Sequence, residues 1–301
     1  MPLPSPLRGI VPPMATPLRT PDALDPDGVV KLVEHILAAD VAGLFVLGTT
    51  GEGPFLSAEL RRELVTHACR AVNGRVPVLV GITDTSLKDS VALARHAADR
   101  GAAAVVAAPP YYFRPSPAEM TRWVEYLAAE VPVPLFLYNI PIHTKVSIPF
   151  DVVRRAMEMK NVVGLKDSSG DARYLHMARR MLADRDDWTL LVGPEHMTAD
   201  FVLFGGHGGV NGGANFLPHL FVELYKAAER RDTDRVAELQ DAVLRLGRIY
   251  TLGDSEATVI QGTKAALACL GLCSDVMAEP NRPLPHEGRE QVRRLLAEAK
   301  S

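Results

Sequence analysis

The chain has 301 residues, 47% of them apolar and 23% charged, with a formal net charge of -3; it can bury a large core as one sizeable domain, or as one with an appendage. Interspersed charges of both signs exclude a surface built for nucleic acid or for an anionic membrane. The opening Met1-Pro2-Leu3-Pro4-Ser5-Pro6-Leu7-Arg8 lacks the apolar core of a signal peptide, and no later run approaches the ~20 apolar residues that cross a bilayer, so the chain is expected in the cytoplasm.

Short β-rich runs then alternate with longer amphipathic ones, for eight rounds. Gly9 to Leu18 reads as a first strand and its exit loop, with a helix from about Asp27 to Ala39 capped by Asp25 or Asp27. Gly43 to Gly48 is a second strand, and Ser57 caps a helix that runs through Val72. Val76 to Thr83 is followed by a helix from Ser86 to Arg100, and Ala102 to Ala108 by one from Pro117 to Glu130. Val133 to Leu137 leads into Tyr138-Asn139-Ile140-Pro141, after which Pro149 opens a helix as a first-turn proline. Val162 to Leu165 precedes a helix from Asp171 to Asp184. Trp188 to Val192 precedes one from Glu195 to Phe204, and Gly209 to Ala214 precedes one from Pro218 to Arg230.

Almost wholly apolar strands separated by helices indicate parallel strands covered by helices. Eight such units fit a closed (β/α)8 TIM barrel better than an open sheet. Helical runs at Asp232 to Thr251, Ser255 to Leu272 and Glu287 to Ala299 exceed what a barrel needs. The expected division is therefore a barrel over 1–231 and a C-terminal helical appendage over 232–301. Cys69, Cys269 and Cys273 form an odd set without Cys-x-x-Cys, which argues against a disulfide framework and a zinc site. Cys269 and Cys273, four apart in an Ala/Leu-rich helix, are expected as buried thiols. The nine histidines lack ligand spacing, so no metal site is expected.

In a barrel the chemistry sits where strands hand over to loops at the C-terminal face. Lys166 stands at the exit of the sixth strand. An amine partly desolvated there is freed for attack on a carbonyl, although a strand-end lysine can equally snorkel to water. Alternation puts Gly164, Lys166 and Ser168 on one side of that strand, where small residues would leave room for a ligand. The second strand exits into Gly48-Thr49-Thr50-Gly51-Glu52-Gly53, whose hydroxyls and backbone N-H groups suit a carboxylate; the other reading is a glycine turn with a capping threonine. Tyr138, at the fifth strand's exit, could relay protons, or be an ordinary strand tyrosine. Tyr111 and Tyr112 follow two prolines and suggest packing or a subunit contact. Gly193 ends the seventh strand just before Glu195 and His196. The glycine-dense 205–213 matches neither phosphate-binding fingerprint, which favours close backbone approach.

Gly48-Thr49-Thr50-Gly51-Glu52, Tyr138-Asn139-Ile140-Pro141 and Gly164-Leu165-Lys166-Asp167, in this order and spacing, resemble the dihydrodipicolinate synthase and N-acetylneuraminate lyase family over essentially the whole chain. The resemblance implies a pyruvate-dependent class I aldolase or lyase that uses a lysine Schiff base without metal or cofactor, assembled as a homotetramer of tight dimers. It makes Lys166 the Schiff-base lysine, Tyr138 the proton carrier, and Thr49 and Thr50 the holders of the 2-oxo acid carboxylate, with Thr49 in the relay. Tyr112 resembles the tyrosine lent across the tight dimer, and Gly193 and Val210 resemble pocket-lining positions.

Departures bear on the second substrate. Lysine-pathway synthases carry an arginine two residues after the proline of the tyrosine motif, where this chain has His143, and an imidazole cannot give the bidentate grip of a guanidinium. Histidines used for lysine feedback are replaced by Ala58 and Arg61. Ser168 and Glu195 match polar positions of sialic acid lyases, while His196 and Gly212 depart. Polar groups at Ser168, Glu195 and His196 could bond a hydroxylated tail, so a 2-keto-3-deoxy sugar-acid-type 2-oxo acid is expected, with an aldehyde as its partner or product. The alternatives are a synthase condensing pyruvate with aspartate semialdehyde, a 2-oxo acid dehydratase, and a non-enzymatic 2-oxo acid sensor.

Overall fold

The apolar runs pair side by side, each joined to the next by a helix that covers its outer face. A computed structural model describes residues 1–299; Lys300 and Ser301, the end of the expected appendage, lie outside the described residues. The strands are β1 (Gly9–Ile10), β2 (Leu44–Val46), β3 (Val78–Gly81), β4 (Ala104–Ala107), β5 (Leu135–Asn139), β6 (Val162–Asp167), β7 (Thr189–Val192) and β8 (Gly208–Gly209). They form one parallel eight-stranded sheet in the order β2 to β8, with β1 beside β8. The residues after β1 close the ring against β2: Ala42 N donates to Ile10 O at 2.8 Å, Phe45 N to Pro12 O at 3.0 Å and Met14 N to Phe45 O at 2.8 Å. The result is the (β/α)8 barrel expected from the sequence.

Period-two alternation divides the strand side chains between two cores. Phe45, Leu79, Val106, Phe136, Tyr138, Leu191 and Val210 pack inside the barrel. Leu44, Val46, Val80, Val105, Leu137, Leu165 and Val192 pack outward beneath the helices. The covering helices are α1 (Pro26–Leu37), α2 (Ala58–Val72), α3 (Leu87–Asp99), α4 (Pro117–Glu130), α5 (Phe150–Met157), α6 (Ala172–Met181), α7 (Thr198–Leu203) and α8 (Pro218–Glu229). Side chains of Ser57, Ser86, Ser116 and Asp171 cap α2, α3, α4 and α6, each contributing about 1 kcal/mol. Asp25 occupies the cap position of α1 but makes no side-chain cap bond; it pairs with Arg19 instead.

Several strands are shorter than their apolar runs. β1 and β8 are the extreme cases, two residues each. A Cβ on Gly208 would meet Gly9 O at 1.9 Å, and its φ is +147°, so the glycine-dense stretch serves close approach of strand to strand. Three further helices follow the barrel: α9 (Thr233–Gly247), α10 (Thr258–Cys269) and α11 (His286–Glu298). Cys269 ends α10 and Cys273 lies beyond it, both only half-buried, which corrects the expectation of two buried thiols within one helix. Among the described residues no helix is long and apolar enough to cross a membrane.

Candidate active site

β5 and β6 run side by side in a register that sets Tyr138 against Lys166 and Asn139 against Asp167. The first pair faces the barrel interior. Lys166, 6% exposed, stands one residue inside the end of β6, not beyond it. Its Nζ lies 3.9 Å from the centroid of the Tyr138 ring and 5.2 Å from that of Phe45, within cation–π range. The Tyr138 hydroxyl lies 3.3 Å from Thr49 Oγ1. Burial alone would push the Tyr138 phenol up, but the Lys166 charge and hydrogen bonds with Lys166, Thr49 and Ser168 outweigh it, so the phenol sits below its usual range.

The second pair faces outward. Asn139 Nδ2 donates to Asp167 Oδ1 at 2.7 Å, and Asn139 Oδ1 accepts from Ile148 N at 2.9 Å. Ser169 Oγ donates to Asp167 Oδ2 at 2.9 Å. Burial holds the Asp167 carboxyl above its usual range against these bonds. The clasp fixes the two strand ends on which Tyr138 and Lys166 stand.

After β2 the backbone turns at Leu47, a non-glycine residue at φ 59, and its carbonyl would sit 2.2 Å from a Cβ on Gly81 and 2.4 Å from one on Gly53. Only glycine at both positions lets the turn close this tightly. The turn presents Thr49, half-buried, and Thr50, 7% exposed. Thr16 Oγ1 ties it down through Gly51 O at 2.6 Å.

These groups open into a cavity of about 840 Å3, walled on one side by strand ends and on the other by α9 and α10. Glu195 stands on the strand side, just after β7. Its Oε1 accepts from Gly213 N at 2.5 Å and from Tyr250 Oη at 3.0 Å. Burial pushes its carboxyl up to about 7, against the Gly213, Tyr250 and Gly212 hydrogen bonds. Below the lysine, Phe45, Leu79, Val106, Phe136, Leu191 and Val210 leave a void of only about 10 Å3. Among the described residues no group of three or more His, Cys, Asp or Glu side chains could hold a metal ion.

The profile of the Dihydrodipicolinate synthetase family matches residues 6–299. The chain belongs to that family. A solved dihydrodipicolinate synthase from Bacteroides thetaiotaomicron is 46% identical, covering 97% of this chain and 99% of its own, with a TM-score of 0.94. YagE from E. coli K12, described as a prophage protein of the dihydrodipicolinic acid synthase family and solved in complex with pyruvate, is 30% identical with a TM-score of 0.92, covering 97% of this chain and 98% of its own. A relative from Escherichia coli strain K12 named "Probable 2-dehydro-3-deoxy-D-pentonate aldolase YjhH" is 31% identical over 96% of both chains.

In this dihydrodipicolinate synthetase family member, Lys166, Tyr138, Thr49, Thr50, Ser168, Gly193, Glu195, Val210, His143 and His196 all line one cavity. A Cβ on Gly193 would meet Ser168 Oγ at 2.0 Å, so that glycine makes room for the serine. Gly164 does not leave room for a ligand as its size suggests, since the Phe136 ring fills the space, 2.4 Å from where a Cβ would stand. His143 sits on a single helical turn, Pro141–Thr144, with Nδ1 3.9 Å from Glu256. Burial holds its imidazole below the usual value, with Glu256 opposing and Lys145 and Lys166 reinforcing the effect. His196 is exposed at the rim.

Tyr112 stands apart. It is 78% exposed and packs edge-on against the 80% exposed Phe113, ring centroids 5.0 Å apart, while Tyr111 lines the cavity. Sequence reasoning missed Tyr250, which no local pattern marks. It also missed the Asn139–Asp167 clasp, although each residue follows a candidate catalytic one and adjacent parallel strands align such offsets.

Proposed function

We propose that the chain is a Schiff-base-forming class I aldolase or lyase acting on pyruvate or on a 2-keto-3-deoxy sugar-acid-type 2-oxo acid. One observation carries this reading: an interior lysine whose Nζ lies 3.9 Å from the Tyr138 ring centroid, with the Tyr138 hydroxyl 3.3 Å from Thr49 Oγ1. The Lys166 amine adds to the 2-oxo carbon, water leaves, and a protonated imine forms. Its positive charge acidifies the adjacent C–H, and loss of that proton gives an enamine that adds to an aldehyde; the reverse sequence releases pyruvate. Tyr138 carries the proton, Thr49 and Thr50 hold the carboxylate, and the chemistry requires no metal or cofactor. The lowered Tyr138 phenol suits proton transfer near neutral pH better than an ordinary one.

Pyruvate bound to YagE and the name of YjhH support the 2-oxo acid and the sugar-acid tail. Ser168, Glu195 and Tyr250 would bond the hydroxyls of that tail, with His143 and His196 nearer the mouth. The synthase reading draws on the name of the Bacteroides relative. Against it stands His143, an imidazole held below its usual pKa where a guanidinium would grip the second carboxylate. Tyr112 would serve a neighbouring subunit of a homotetramer built from tight dimers, and its exposure beside Phe113 fits that role.

Borohydride reduction in the presence of pyruvate should add the reduced adduct's mass at Lys166. An unmodified Lys166 across a panel of 2-oxo acids refutes the enzyme reading in favour of a sensor. Efficient turnover of aspartate semialdehyde in a coupled assay would favour the synthase, whereas pyruvate release from 2-keto-3-deoxy sugar acids would favour the lyase.

A further inference from the structure

Glu52 ends the Gly-Thr-Thr-Gly-Glu turn, yet its side chain points away from the cavity. Its backbone is left-handed at φ 57, an unfavourable conformation for a non-glycine residue, and its N-H closes the turn onto Thr49 O at 3.0 Å. The carboxylate is 0% exposed and reaches into the C-terminal helices. There Oε2 accepts from Ala278 N at 2.8 Å. Oε1 pairs with Nζ of Lys264 on α10, itself 0% exposed, and the same ammonium donates to Val276 O at 2.5 Å. Two opposite charges far from water thus clip together the turn after β2, α10 and the segment 276–278.

Net stability is a poor reason for such a clip, because desolvation of both ions offsets much of their attraction, and apolar residues of equal volume serve as well or better. What a fully engaged carboxylate supplies is geometry. With both oxygens engaged, Glu52 is held in its left-handed conformation, and Thr49 and Thr50, three and two positions earlier, inherit that constraint. We infer that Glu52 and Lys264 are positioning residues that hold Thr49 and Thr50 in the carboxylate-receiving arrangement, so that the C-terminal helices are a working part of the site. The inference rests on the proposed role of those two threonines.

The test uses the full chain carrying Glu52→Gln together with Lys264→Met, which removes both charges and leaves neither unpaired. Positioning predicts that KM for pyruvate in imine formation, read from borohydride trapping against pyruvate concentration, rises about tenfold or more, with the saturating rate changed less than about threefold. A double variant that folds and keeps the wild-type KM overturns the inference. A second measurement needs no variant to fold. By reciprocity of coupled equilibria, pyruvate bound at the threonines should slow hydrogen exchange at the Ala278 N-H of the wild-type chain, and unchanged exchange at saturating pyruvate overturns the inference equally. Failure of the underlying reading looks different: wild-type Lys166 would then trap no pyruvate at all.

Discussion

Glu195 makes the stability of this chain depend on pH in a calculable way. Burial raises its carboxyl from the usual 4.5 to about 7. Below pH 4.5 the folded and unfolded chains both hold the proton, and nothing differs. Between those values the folded chain keeps a proton that the unfolded chain has released, so stability falls as pH rises through the window and stays reduced above it. The displacement corresponds to about 3 kcal/mol, an upper bound because the carboxyl borders an open cavity. Glu195→Gln keeps an oxygen for Gly213 N and Tyr250 Oη but cannot ionise. Thermal unfolding at fixed protein concentration should show the variant gaining up to about 5 °C on the wild type between about pH 5 and about pH 8. Parallel melting curves for the two proteins across that range would refute a carboxyl driven up by burial.

Three further outcomes follow from the site. Tyr138→Phe removes the hydroxyl that meets Thr49 and should slow turnover by about 10² to 10⁴, while borohydride still traps pyruvate on Lys166; loss of trapping would mean that the phenol builds the site rather than moving protons. Gly193→Ala places a Cβ 2.0 Å from Ser168 Oγ and should cost about 1–3 kcal/mol in denaturant unfolding, with weaker use of any substrate that contacts Ser168; an unchanged midpoint would show that Ser168 turns aside freely. Tyr112→Phe should cut activity and leave 2-oxo acid binding largely intact, and simultaneous loss of binding and folding would make Tyr112 structural.

The barrel was legible because its strands are near-continuous apolar runs, the signature of sheets buried on both faces. Lys166 was legible as a lone lysine closing an apolar strand, but parity counted from Val162 would have misled, because Val162 packs outward with Leu165 and the β5–β6 register shifts between Leu135 and Phe136. Strand ends were less so, since β8 is two residues long and its limit depends on the approach of Gly208 to Gly9, a tertiary event. The role of Gly164 was misread for the same reason, because whether a missing Cβ admits a ligand or a Phe136 ring is decided by the neighbouring strand. Glu195 could be picked out, but its Tyr250 partner comes from 55 residues further along. Nothing in the spacing of Glu52 and Lys264 announces that two charges meet out of reach of water.

The packed layer under Lys166 has a consequence for traffic. A void of about 10 Å3 among Phe45, Leu79, Phe136 and Leu191 is at the lower limit for a single water and offers it no polar side chain but Lys166. Among the described residues the lysine therefore stands on a packed, largely apolar floor. In the proposed reaction, the water expelled as the imine forms and the water that later hydrolyses it would pass through the large cavity that Tyr138 and Thr49 line. Isotopic oxygen released from a labelled ketone should accordingly leave by the mouth of the barrel and not through its core.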